Sequence, residues 1–191
     1  METRELKNMR LKQVVITNGI LLTAIIIFFL IISVFTITVA RVFLVLGVLV
    51  LIQGVFGLIR GESTKSIISI FEKVAIYEKQ KMGSEWYKQR KVNYVWNLIF
   101  SCFLFLQSYW NRDSPDNVFQ MELMFLFIMT FILLVMINIS LIIHFRKVDR
   151  STSELDMKGY TWKSNLIGVA VGIVFALVMF VVTLFYIFSG I

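Results

Sequence analysis

The sequence predicts an all-α, polytopic membrane protein with five transmembrane helices and one cytoplasmic amphipathic helix. Three observations carry that prediction. Hydrophobic residues make up 58% of the 191 residues, against roughly 45–50% in a soluble domain, and the mean hydropathy is +0.82. The apolar residues fall in long blocks rather than being spread along the chain. Lys and Arg gather in alternate connections between those blocks. With one Pro and no Gly/Ser-rich or low-complexity tract, residues 1–191 read as a single membrane domain.

The first span is expected at 14–35. The leader METRELKNMRLK before it resembles the charged start of a signal peptide. The apolar run is longer than a typical signal core, however, and no small-residue cleavage site followed by a soluble domain appears, so an uncleaved span is expected. The second span, 40–59, follows after only TITV. One unbroken helix over 14–59 would be about 69 Å long, far more than the roughly 30 Å of a hydrocarbon core. The chain must therefore turn, with Arg41 at the polar edge. The third span, 92–109, is the shortest and most polar. The fourth and fifth are expected at 121–144 and 165–188.

Charge sets the orientation. The leader carries four Lys and Arg, the 60–91 connection eight and the 145–164 connection five. Arg41 and Arg112 are the two that remain. The positive-inside rule then puts the N-terminus in the cytoplasm and the C-terminus outside, in the cell membrane. Five crossings also require the two ends to lie on opposite sides. Aromatic residues mark the same boundaries: Tyr94 and Trp96 at one end of the third span, Tyr109 and Trp110 at the other, Tyr160 and Trp162 before the fifth. The net charge of +7 is explained by this placement, so no nucleic-acid partner is expected.

Within the 60–91 connection, Ile67, Ile70, Phe71, Val74, Tyr77 and Met82 share one helical face, with Ser69, Glu72, Lys73, Lys79 and Gln80 opposite; Ile76, Glu78 and Lys81 spoil the pattern. Three placements fit such a helix: flat in the membrane interface, against a partner protein, or over the cytoplasmic ends of the spans. Gly83 is expected to end it and Ser84 to cap the next helix. The following EWYKQRK is expected at the headgroup level, where Lys and Arg meet anionic lipid. In the 145–164 connection, Ser151 and Glu154 match a capping box. Gly83-x-x-Trp86 and Gly159-x-x-Trp162, preceded by Met82 and Met157, form a faint echo that either chance or a worn repeat can produce.

No catalytic, cofactor or metal motif is present. The one His, His144, and the one Cys, Cys102, fall on different spans, and the span interiors hold no ionisable residue. No enzyme activity and no cofactor are expected. His144 reads as an interfacial residue at a helix C-terminus, and the acids of the connections, several beside basic residues, read as solvated surface. Gly168, Gly172 and Ala176 on the fifth span, with Gly47 and Gly54 on the second, form small-residue faces that let helices approach closely. The intramembrane polar residues Asn18, Gln53, Asn97 and Asn138 suit hydrogen bonding between helices.

Two functions remain open. One is an accessory, regulatory or immunity-type interaction subunit that meets lipid and a membrane-protein partner, or a second copy of itself. Its candidate contact residues are Phe71, Trp86, Tyr87, Arg90 and Trp162. The other is a small channel or permease subunit for a neutral solute, lined by the amides.

Overall fold

The computed structural model describes residues 3–61, 63–113 and 123–189. Met121 and Glu122, at the expected start of the fourth span, lie outside these residues, as do Glu62 and Asp116. Among the described residues the chain is helical with no strand: α1 (Thr3–Val34), α2 (Val39–Arg60), α3 (Ser69–Met82), α4 (Ser84–Trp110), α5 (Leu123–Arg150), a 3₁₀ turn (Glu154–Met157) and α6 (Tyr160–Ser189).

Four of these helices, α1, α2, α5 and α6, are long and apolar enough to cross a membrane. α4, with 27 residues, is long enough but the least apolar of the long helices, because Asn93, Asn97, Ser101, Gln107 and Ser108 dilute it. The leader does not stay apart from the first span. It continues as helix from Thr3, so Arg10 and Gln13 ride on the same rod as the apolar run.

α2 and α4 form an antiparallel pair along the length of α2. A Cβ on Gly47 would meet the Phe105 ring, one on Gly54 would meet Leu98 at 2.8 Å, and one on Gly57 would collide with Tyr94. At the far end, the Ser108 hydroxyl donates to the Ala40 carbonyl at 2.8 Å. Ser101 and Leu104 of α4 are buried, as are Val42, Gly47 and Gly54 of α2. The glycines remove side chains where the α4 residues need room, which is how small residues bring two helices close.

α3 packs on α1, α4, α5 and the 3₁₀ turn, over one end of the long helices. It starts two residues later than the pattern suggested: Ile67 is fully exposed and Ile68 is the N-cap. Gly83 ends α3 with φ +55°, and α4 begins at once, with Gly83 rather than Ser84 in the N-cap position. The capping box expected from Ser151 and Glu154 lies two residues on. Ser153 and Asp156 form it, and Asp156 Oδ2 also accepts from Thr152 N at 2.9 Å. Ser151 is unavailable because α5 runs to Arg150 and the Ser151 hydroxyl closes it by donating to Val148 O.

A compact core forms where α3, α4, α5 and α6 meet: Met82, Trp86, Val148, Met157 and Tyr160, flanked by Ala75, Tyr77 and Tyr87. Away from it the α2–α4 pair stays closely packed, while the other long helices bury little. None of the residues in the apolar windows of α1 and α5 is buried within the chain, against 17% for α2.

Candidate functional site

The core carries a polar cluster on its α1 and α5 side. Arg10 is 7% exposed. Its guanidinium donates to Glu78 Oε1 at 2.7 Å, to Asp149 Oδ1 at 2.7 Å and to Gln13 Oε1 at 3.0 Å. The same group lies over the Phe145 ring at 4.3 Å. One cation from α1 thus ties α3 and α5 together through two carboxylates. Its planar fork of donors suits such a bridge better than a lysine would.

Glu78 Oε1 also sits 3.2 Å from His144 Nε2, and His144 Nδ1 lies 2.8 Å from the Tyr160 hydroxyl. An imidazole with its proton on Nε2 donates to the carboxylate and accepts from the phenol; a doubly protonated ring donates to both. Tyr160, His144, Glu78 and Arg10 therefore form one hydrogen-bonded chain across α6, α5, α3 and α1. Burial opposes ionisation of Glu78, but the hydrogen bonds and charge from His144 and Arg10 outweigh it and hold the carboxyl below its ordinary range.

A second buried carboxylate joins α4 to α6. Thr161 donates to Glu85 Oε2 from its backbone N at 3.1 Å and from its hydroxyl at 2.8 Å, while Lys88 reaches Oε1 at 2.9 Å. Burial again opposes the charged form; the Lys88 and Thr161 bonds overcome it and bring Glu85 down to about 2. Glu85 and Thr161 each stand two residues after the glycines of the sequence echo. Gly83 and Gly159 both have positive φ, and Met82 and Met157 are both wholly buried in the same cluster. The two echoed turns therefore face each other. The likeness stops there, because Trp86 is 3% exposed and Trp162 is 73% exposed. The helices beyond also differ: α5 and α6 are not packed side by side as α2 and α4 are.

Beside the polar chain lies a cavity of about 730 Å³ between α3, α4, α5 and α6, with Glu78, Arg90, Asn93, His144 and Tyr160 in its wall. Arg90 is positioned by Ser63 O at 2.7 Å and Tyr94 Oη at 2.8 Å, and it stacks over Trp86 at 4.6 Å.

The contact candidates divide. Trp86 is a core residue, so it faces neither lipid nor a partner, and Tyr87 packs edge-on against it with ring centres 5.2 Å apart. Phe71 is half-buried and lines the cavity. Trp162 is the exposed member. Of the amides, Asn18 and Asn138 bond each other reciprocally, at 2.9 and 3.0 Å, and join α1 to α5. Gln53 is exposed and Asn97 half-buried, and neither joins that pair. Gly168, Gly172 and Ala176 are exposed, and a Cβ on either of those glycines meets nothing within 4 Å.

Glu78, Glu85 and Asp149 were expected on a solvated surface and are instead, with Arg10 of the leader, the ties of the site. Their one sequence signal is Glu78, a break in the apolar face of α3, between Val74 and Met82 at four-residue spacing. Among the described residues no group of three His, Cys, Asp or Glu side chains is placed to hold a metal ion. In comparisons with known proteins, no family model, curated protein or solved structure matches the chain.

Proposed function

We propose that this chain is a multi-pass cell-membrane protein with five crossings, N-terminus cytoplasmic and C-terminus outside, that acts as a non-catalytic accessory, regulatory or immunity-type interaction subunit. The observation that carries the reading is the contrast between its two levels. The helix ends are locked together by Arg10, Glu78, Asp149 and His144, while the apolar stretches of α1, α5 and α6 bury almost nothing against each other. A self-contained bundle would bury its span faces within itself. Here they remain for lipid and for another membrane protein, held at a fixed spacing by the polar cap.

The fifth crossing is supported by α4 running beside α2 from Ala40 to Gly57. If α2 crosses, α4 shares its depth. The cytoplasmic placement of the cap is supported by the charge count, since α1's leader, α3 and the α5–α6 junction meet at one end and carry most of the Lys and Arg. A solute pore gains no support from the amides, because Asn18 and Asn138 satisfy each other rather than lining a path.

The test is a photoreactive amino acid at Ile26 or Phe131, exposed on α1 and α5, followed by crosslinking in intact cells. A discrete adduct with a second membrane protein is expected from at least one position. Adducts with lipid and with the chain itself alone, from both positions, would sink the interaction reading.

A further inference from the structure

The cavity beside the cap has a graded wall. Toward the helix ends it presents Glu78, Arg90, Asn93 and His144; deeper along the helices it presents Met136, Ile139, Ile167 and Val171. The gradient follows the helix axes. At 1.5 Å per residue, Tyr160 to Val171 on α6 covers about 16 Å, and His144 to Met136 on α5 about 12 Å. One leaflet of a bilayer has a hydrocarbon depth of about 15 Å, half of the full core. The cavity thus runs from headgroup level to near the bilayer midplane when α5 and α6 span. It is open sideways, since α5 and α6 do not pack on each other and Ile139 and Ile167 are each half-exposed.

Charge defines the upper end. Glu78 is paired with Arg10, which also meets Asp149. Lys65 and Arg90, also in the wall, have no carboxylate partner among the described residues. Arg90 is held in place by Ser63, Tyr94 and Trp86 and uses three of its five N–H donors on them. The net balance of the polar end is positive, and a fixed guanidinium suits a phosphate oxygen.

We propose that this cavity binds one anionic phospholipid, its phosphate at Arg90 and Lys65 and an acyl chain between α5 and α6. The site rests on α5 and α6 crossing the membrane, and it does not depend on which protein the spans meet. A bound lipid would fill the gap that the chain leaves between these two helices and couple the cap to the surrounding leaflet.

The experiment uses the full chain in detergent micelles, with lipid binding read by native mass spectrometry. Short-chain phosphatidylglycerol, phosphatidylcholine of the same chain length and soluble glycerol 3-phosphate are titrated separately. The anionic lipid is expected to bind about tenfold more tightly than the zwitterionic one, and Arg90→Gln to remove that preference. Gly168→Leu tests the cavity without relying on Arg90, which also braces the fold. Its side chain grows from a wall position where a Cβ meets no neighbour, so the variant folds and lowers binding of both lipids at least about tenfold. Equal binding of the two lipids overturns the headgroup assignment. Unchanged binding by Gly168→Leu overturns the cavity as the site. Glycerol 3-phosphate binding as well as the anionic lipid overturns the lipid in favour of a soluble phosphate.

Discussion

Glu78 carries two partners on one oxygen, and removing its charge should cost more than either bond. In Glu78→Gln, Arg10 keeps Asp149 but loses its charged partner on α3, and the amide oxygen that remains offers Arg10 and His144 only a neutral, weaker acceptor. Breaking a buried pair from one side costs about 3 kcal/mol, to be read as a lower midpoint in thermal unfolding of the detergent-solubilised protein. The two buried carboxylates also set the acid limit. Both Glu78 and Glu85 have folded-state values below the ordinary 4.5, Glu85 at about 2. In acid the unfolded chain therefore binds protons that the folded chain refuses. Their stabilisation is complete above about pH 4.5 and is lost as pH falls from there toward 2. Unfolding temperature measured between pH 7 and pH 3 should drop steeply at the acid end, and Glu85→Gln should flatten that drop. A drop of the same steepness in the variant would remove Glu85 from the account. Little of this was legible beforehand. Arg10 and Asp149 are 139 residues apart, and neither interrupts a pattern; only Glu78 did so, and a single break in a helical face has many causes.

Between elements, the informative comparison is among glycines. On α2, Gly54 faces Leu98 at a distance no real Cβ shows, whereas Gly172 on α6 faces open space. Gly54→Leu should force α2 off α4 at a cost of about 1–3 kcal/mol, and Gly172→Leu should leave the unfolding midpoint of the isolated chain unchanged. A loss of stability from Gly172→Leu would mean that α6 packs within the chain. The Asn18–Asn138 pair links the apolar runs of α1 and α5. A double-mutant cycle of Asn18→Leu and Asn138→Leu should return a coupling of about 0.6–1.7 kcal/mol; a value near zero would mean that the two amides do not meet in the membrane. Helix existence was readable from apolar length, and the α3–α4 break was readable from Gly83, whose φ of +55° few other residues adopt. The use of each small-residue face was not readable. Gly47 and Gly168 look alike in sequence, and only the Phe105 ring opposite the first distinguishes them.

For the whole molecule, the decisive quantity is the number of crossings, and α4 decides it. Four helices have the length and apolarity to cross, and with four crossings the two termini lie on the same side. α4 is diluted by amides and serines, yet it is laid along α2 for the full length of that helix and shields part of its polar content there. Hydropathy counts α4 as an isolated rod, whereas on the proposed five-crossing reading a bilayer would meet it as one half of a pair. The proposal of a fifth crossing therefore rests on the charge pattern and on this pairing rather than on the composition of α4. The distinction is measurable by labelling single cysteines with an impermeant maleimide on intact cells, in a background where the exposed Cys102 is replaced by Ala. Ser84 and Thr152 are exposed at the capped end, and Asp113 is exposed beyond the far end of α4. With five crossings, Asp113→Cys labels from outside, while Ser84→Cys and Thr152→Cys label only after the membrane is opened. If α4 stays on the cytoplasmic side while α5 and α6 cross, Ser84→Cys and Asp113→Cys are protected and Thr152→Cys labels on intact cells. If Ser84→Cys and Thr152→Cys both label on intact cells and Asp113→Cys does not, the orientation is reversed and the basic cap faces outward.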